Sequence, residues 1–247
     1  MTKPRYDYTG LSSGILAMTL VTGAAVGAGA PEVMFSIAAS GDGSAPVSGM
    51  LSDLGAWAEL DDGSTAFTGN IFGESWHVSW TTVVHQTNEL LTLDSALSIT
   101  NTSNQSQMFE LDTLFNPDPI FADGLFEVAA NISVMNLDFT GTAELSTVDD
   151  AALIRAGLGE DAVVDLYEPF YALIATGPYA IALDNQSDQM TVTGDVESSW
   201  HGSTFELSSG DLATLHTYTV ISAIPSPGAI ALLAIAGWIN RRRAFQL

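Results

Sequence analysis

Residues 74–84, with the sequence ESWHVSWTTVV, alternate apolar and polar side chains with a period of two. Successive side chains of an extended chain point to opposite faces. Trp76, Val78 and Trp80 therefore share one face, and the polar residues between them share the other. This pattern is typical of an antiparallel strand with one face on the core and one face in solvent.

Similar strand patterns recur along most of the chain and are separated by turn residues. A glycine turn at Gly73 joins residues 64–72 to the first stretch, and a polar turn over residues 101–105 joins two later runs. We therefore predict an all-β protein, a single antiparallel β-sandwich of immunoglobulin-like or jelly-roll-like type. The further predicted strand runs are residues 91–99, 109–115, 126–134, 171–183, 189–196, 203–207 and 211–221.

Residues 148–158 do not show this alternation of apolar and polar side chains. The segment is rich in alanine and leucine, with Asp149 and Asp150 at its start and Gly157 near its end. Acidic residues at the front and glycine behind are helix boundary signals. We therefore expect a short helix or helical turn here.

Charge is distributed very unevenly. The chain contains 29 acidic residues, 6 lysine and arginine residues and no cysteine. Arg155 is the only basic residue between positions 31 and 224, where 28 carboxylates lie. Such a body repels itself and should not bind nucleic acid or anionic lipid, because both need a basic face. The missing cysteines exclude disulfides and thiolate metal sites.

The N-terminal segment has the order of a secretory signal peptide. Lys3 and Arg5 precede an apolar centre over residues 15–21, and small residues follow up to Ala28-Gly29-Ala30. A charged start, an apolar middle and an A-x-A ending are the three parts of such a signal. We predict a signal helix over residues 1–30, with cleavage near Ala30.

The C-terminal segment combines strand-ending prolines with a short apolar run and an arginine cluster. Pro225 and Pro227 end the last strand run, because proline cannot donate to a strand ladder. The apolar run over residues 228–239 would span about 18 Å as a helix, whereas a hydrocarbon core is about 30 Å thick. Arginines after it would stay on the cytoplasmic side. We therefore expect a short transmembrane-type helix that inserts transiently, with the body outside the membrane.

A proline motif, a short apolar helix and an arginine cluster, in that order, resemble a PEP-CTERM sorting signal. Ser226 stands where the name-giving pattern has glutamate, and the tail is similar to a variant associated with planctomycetes. The resemblance implies an exosortase-type membrane protease as partner. The residues that carry the motif are Ile224, Pro225, Ser226, Pro227, Gly228, Arg241, Arg242 and Arg243.

Two stretches of the body resemble ectodomains that precede such tails. They are the turn over residues 98–103 followed by Gln107-Met108-Phe109, and residues 208–211 leading into the last strand run. This resemblance implies a β-sandwich and no particular activity. The expected organisation is a signal peptide over 1–30, an acidic β-sandwich ectodomain over 31–223 and a sorting signal over 224–247.

The aromatic residues offer one candidate site. Trp76 and Trp80 should form core because they share the apolar face of a strand. Trp57 and Trp200 are the candidate glycan contacts, since glycan-binding sandwiches present exposed rings, and Tyr218 is a further candidate ring.

Metal-binding and catalytic signals are weak. His77 and His201 each follow a tryptophan and, if paired in space, could hold a metal with Glu74 or Glu197 nearby. On a strand, however, a histidine beside an inward tryptophan should point into solvent, which favours two surface histidines. Asp184 and Asp188 lie in an expected loop with the best density of oxygen ligands, and are the candidates for a Ca²⁺ site, although no EF-hand pattern is present. Otherwise no cofactor is predicted. There is no GxSxG elbow and no phosphate-binding loop.

These observations favour an exported, non-enzymatic protein of the cell surface, outer envelope or extracellular matrix, with a role in exopolysaccharide or biofilm implied by the tail. A carbohydrate-binding module is the alternative, and an extracellular hydrolase is the second alternative.

Overall fold

The computed structural model describes residues 30–40, 45–87, 89–116, 121–138, 141–159, 161–196 and 198–224. The predicted signal helix, and the sorting segment beyond Ile224 with its predicted helix, lie outside these residues. In the described part, no helix has the length and apolarity that a membrane crossing requires.

The described chain is nearly all strand, in two antiparallel sheets, and the prediction of an all-β sandwich is confirmed. One short helix, α1 (Leu51–Leu54), interrupts the strands. The strands are β1 (Val33–Ala39), β2 (Val47–Met50), β3 (Gly55–Glu59), β4 (Thr65–Phe72), β5 (Trp76–Gln86), β6 (Leu90–Asn101), β7 (Gln107–Phe115), β8 (Phe121–Met135), β9 (Thr142–Thr147), β10 (Ile154–Leu158), β11 (Asp161–Leu166), β12 (Ala172–Thr176), β13 (Ile181–Val196), β14 (Ser199–Leu207) and β15 (Leu212–Ala223).

The two sheets have different strand orders. The seven-stranded sheet has the order β13-β8-β15-β6-β5-β4-β3. The eight-stranded sheet has the order β11-β10-β14-β7-β1-β2, with β9 pairing β14 and β12 pairing β9. The central strands β8, β15 and β6 pair over almost their whole lengths, which fixes the register of the seven-stranded sheet.

A single apolar core lies between the sheets. Inward side chains from both sheets belong to one contiguous cluster. Phe35 on β1 stacks on Trp80 on β5 across the sandwich, with ring centroids 5.5 Å apart. Fully burying one side chain of this size contributes about 1.5–3 kcal/mol, so the alternating inward residues supply most of the stability.

The predicted helix over residues 148–158 is wrong. The segment forms a turn after Thr147 and then strand β10, which pairs with β11 on one side and β14 on the other. Asp149 adopts a positive φ of 54° in that turn. Hydrogen bonds to two neighbouring strands satisfy the β10 backbone, so tertiary pairing overrides the helix preference of alanine and leucine.

The run over residues 171–183 is divided in the structure. Strand β12 ends at Thr176, and a turn at Gly177 separates it from β13. Gly177 has a φ of 108°, which side chains with a Cβ rarely adopt. The two strands belong to different sheets, so this turn carries the chain across the sandwich.

Candidate functional site

The tryptophans divide into buried and accessible residues. Trp76 and Trp80 are 2% and 3% exposed, so the prediction that they form core is correct. Trp57 is 38% exposed on the edge strand β3. Trp200 is half-buried on β14 and donates from Nε1 to the carbonyl of Gly159 at 3.1 Å. Trp57 and Trp200 lie on different sheets and do not form one site.

A cleft of about 430 Å³ lies at the β3 end of the seven-stranded sheet. Gly55 and Gly69, which are directly opposite each other in the β3–β4 ladder, line it together with the indole of Trp80. A Cβ on Gly69 would overlap that indole, and a Cβ on Gly55 would overlap the β4 backbone. The two glycines are therefore required for the close packing that forms the cleft.

Trp57 follows Ala56, a lining residue of this cleft, along β3. It is two residues from Gly55 on the same strand face, a separation of about 7 Å. It stands opposite Phe67, which is fully buried. Thr68 and Asn70 add polar groups to the lining, and among the described residues the Trp80 Nε1 has no hydrogen-bond partner. The cleft thus combines indole surface with a few hydrogen-bonding groups, a composition suited to small polar ligands.

His201 contradicts the expectation of a surface histidine. It is 5% exposed and faces inward from β14, whereas the neighbouring Trp200 faces outward. Its ring is hydrogen-bonded to the hydroxyls of Thr219 and Thr217 on β15 in the opposite sheet. Burial lowers the pKa of His201 to about 4, so the ring is neutral at pH 7.

His77 does not pair with His201 to bind a metal. His77 lies on the outer side of β5, in the other sheet, and stacks on Phe72 with ring centroids 4.2 Å apart. The described residues contain no group of three or more histidine, aspartate or glutamate side chains that could hold an ion.

Asp184 and Asp188 lie within strand β13, so the prediction of a loop is wrong. The Tyr171 hydroxyl donates to Asp184 Oδ2 at 2.8 Å, and the Gln189 amide donates to Asp188 Oδ1 at 2.8 Å. Four residues of strand separate the two aspartates by about 13 Å, which is too far for one Ca²⁺ with ligands at about 2.4 Å. The edge strand continues through this polar segment because β8 pairs with it along its length.

Sequence analysis missed the network around Asn101. Its buried side chain donates to the carbonyls of Gln105, Leu207 and Ser208 and accepts from Ser103. The network ties the turn after β6 to the end of β14. The sequence feature that could have indicated this network is an asparagine at the end of an apolar strand run.

Comparisons with known proteins contribute little. No family model matches the chain, and no curated protein matches it. Among solved structures, it is similar to that of the carbohydrate-binding module TmCBM61 in complex with beta-1,4-galactotriose. The identity is 10%, the match covers 60% of this chain and 89% of that chain, and the TM-score is 0.28. A likeness this low carries no argument about fold or function.

Proposed function

We propose that this chain is an exported, non-enzymatic protein of the cell surface or extracellular matrix, sorted by an exosortase-type membrane protease. The observation that carries the proposal is the tail of proline motif, apolar run and arginine cluster that follows the last strand. The described strands run from Val33 to Ala223, between the predicted signal peptide and the sorting tail. Removing those two segments would therefore leave every described strand in place.

The use of the polar side chains supports a non-enzymatic role. His201 is enclosed between the sheets, the Asp184 carboxylate accepts from Tyr171, and His216 pairs with Asp94 at 2.6 Å. Each of these groups is engaged in a structural contact at a different place in the sandwich. A hydrolase would need such groups to converge on one pocket.

The sorting proposal is tested by deleting residues 228–247 in the producing bacterium and fractionating the cells. We expect the shortened protein to lose its surface retention. A chain that lacks only residues 244–247 is the matched control, because it keeps the motif and the arginines. Unchanged retention after the larger deletion would overturn the proposal.

A second candidate function is carbohydrate binding at the β3 cleft. The favouring observation is that Trp57 is partly exposed beside a cleft lined by Trp80, Thr68 and Asn70. Indole faces stack on the apolar faces of sugars, and the polar groups can bind sugar hydroxyls. A glycan array read with Trp57→Ala and Trp57→Phe tests this candidate. We expect the alanine variant to lose the signal and the phenylalanine variant to keep most of it. Equal signals from the wild type and both variants would count against the cleft.

A further inference from the structure

The strand registers place the first and the last strand residue at the same end of the sandwich. Strand β15 finishes at Ala223, which pairs with Gly124 near the start of β8. Strand β1 begins at Val33, which pairs with Phe115 at the end of β7. Because residues 116–120 alone join the end of β7 to the start of β8, these two pairs lie close together. We call this end of the sandwich, with Val33 and Ala223, the tail end.

The opposite end, the distal end, carries the turn that joins β6 to β7. Strand β15 begins there at Leu212, which pairs with Thr100 near the end of β6. The turn after β6 lines a polar cleft of about 270 Å³ together with Glu74 and Ser75. Strand β15 has 12 residues, and at about 3.4 Å per residue the two ends are about 37 Å apart.

The strand that leads into the tail is held on both sides up to its last residue. Strand β15 lies between β8 and β6 in the seven-stranded sheet. The Ala223 amide donates to the Glu89 carbonyl at 2.9 Å, and Ile221 two residues earlier is fully buried. Freeing the end of this strand would break hydrogen bonds to two neighbours and expose core. The tail therefore continues from a fixed point of the body.

The connection from this point to the apolar run is short. Four residues separate Ala223 from Gly228, where the run begins, and two of them are Pro225 and Pro227. Four extended residues span at most about 14 Å. Proline fixes its own φ and disfavours a helical backbone in the residue before it, so the sequence predicts a stiff, extended connection. This tether is much shorter than the body of about 37 Å that it holds.

We infer that, while the tail is inserted, the sandwich stands end-on at the lipid surface, with the tail end against the head groups and the distal end outward. This inference rests on the proposed function, because it requires that the apolar run enters the membrane. The body carries 28 carboxylates and one arginine, and an upright body brings the smallest part of this surface close to anionic lipid. The distal cleft is then the part of the body that first meets extracellular material.

The test uses single cysteines, since the chain has none of its own. The chain is produced with its N-terminal segment in a bacterial host that lacks exosortase, recovered from the membranes and reconstituted into vesicles of phosphatidylcholine and phosphatidylglycerol with an acceptor dye on some head groups. A membrane-impermeant donor dye is attached after reconstitution. The labelled variants are Glu89→Cys at the tail end, Asn104→Cys at the distal end, and Thr81→Cys and Glu110→Cys at exposed positions halfway along the two sheets.

Energy transfer to the lipid dye should decrease from Glu89→Cys through the two halfway variants to Asn104→Cys. We expect at least an about twofold difference between the first and the last for a separation of about 37 Å. The halfway variants are the matched controls, because they lie on opposite sheets and should give equal transfer in an upright body. Unequal transfer from these two, with similar values at both ends, would show a body lying on one sheet and would overturn the inference.

Flotation of the vesicles distinguishes failure of this inference from failure of the proposed function. The full chain should float with the vesicles, whereas a chain without residues 228–247 should not. A full chain that does not float, or a shortened chain that still floats, would overturn both the inserting tail and the upright body. A full chain that floats with equal transfer from all four positions would overturn the upright body alone. Thermal melts of the labelled variants establish that each one is folded.

Discussion

The imidazole of His201 on β14 is hydrogen-bonded across the sandwich to the hydroxyl of Thr219 on β15. This contact joins the two sheets inside the core, where further polar side chains such as Thr82 and Ser95 are also buried. Thr217 on the same strand approaches the other ring nitrogen, Nδ1, at 3.3 Å. A neutral ring uses one nitrogen as donor and the other as acceptor, and both hydroxyls can adapt to either tautomer. Protonation would leave a charge between the sheets.

His201 should make the protein less stable in acid. In the unfolded chain histidine titrates near pH 6.5, whereas burial lowers the pKa of the folded His201 to about 4. Between these values the unfolded chain binds a proton that the folded chain does not, so stability is lost as pH falls from about 6.5 to about 4. The loss amounts to roughly 3 kcal/mol. Denaturant unfolding of the wild type and His201→Gln across this window measures it. The variant should show a shallower fall in stability with pH, and an identical fall would contradict the assignment.

His216 should have an effect of opposite sign. Its hydrogen bond to Asp94 raises its pKa above 6.5, so the folded chain holds a proton that the unfolded chain has released. The stability from this pair is complete below about pH 6.5 and is lost as pH rises through the raised pKa. His216→Gln should flatten the change in stability above pH 6.5. Equal slopes in the variant and the wild type would show that the pair has no influence on folding.

Replacing Gly69 by alanine should destabilise the sandwich. A Cβ at this position would overlap the Trp80 indole, which packs in the core against Phe35. Displacing a core ring costs typically 1–3 kcal/mol. Gly49→Ala is the matched control, because the nearest atom to its Cβ would be a Leu54 carbon at 3.4 Å, which is ordinary contact. We expect a change within about 0.5 kcal/mol for the control in chemical denaturation. Equal effects of the two substitutions would contradict the packing argument.

Asn101→Asp should be strongly destabilising. The amide of Asn101 donates to three backbone carbonyls, and a carboxylate there would face those oxygens with no proton to donate. Burying an uncompensated polar group costs about 1–3 kcal/mol, and more when it is charged. Asn185→Asp, at an exposed position on β13, is the control. Thermal melting compares the two variants, and similar melting temperatures would contradict a structural role for the Asn101 network.

Added salt should stabilise the protein. The body from residue 31 to 224 carries 28 carboxylates and one arginine, and mobile ions screen their mutual repulsion. We expect the melting temperature to rise with sodium chloride. Calcium chloride at matched ionic strength should add no more than a general divalent effect, because the described residues offer no three-ligand cluster. A saturable rise at millimolar calcium, absent with magnesium, would indicate a specific site.

The central strands were predictable because alternation and burial agree. In residues 76–84 and 91–99, every second side chain is buried and all of these are apolar except Thr82 and Ser95, and the structure places strands β5 and β6 there. The strand β10 was not predictable in the same way, since Ala156 and Gly157 are held in a strand by pairing with β11 and β14. Local preference indicated a helix, and pairing with distant strands decided otherwise.

In the candidate sites, too, some residues could be identified from the sequence, whereas their neighbours are set by strand pairing. Trp57 was identified from the sequence, yet its cleft depends on Gly69 and Trp80, which the β3–β4–β5 pairing brings to it. Sequence showed that Thr68 and Asn70 are polar but could not show that they line the cleft, which depends on the pairing of β4 with β3 and β5.

The sequence by itself determined the acidic composition, the β-rich class and the tail that motivates the sorting proposal, because each is local or compositional. Only the tertiary structure decided that His201 faces the core and Trp200 faces outward. The alternation of a strand defines two faces but does not say which one is inside. The second sheet decides this, since the face it covers is buried whichever residues that face carries.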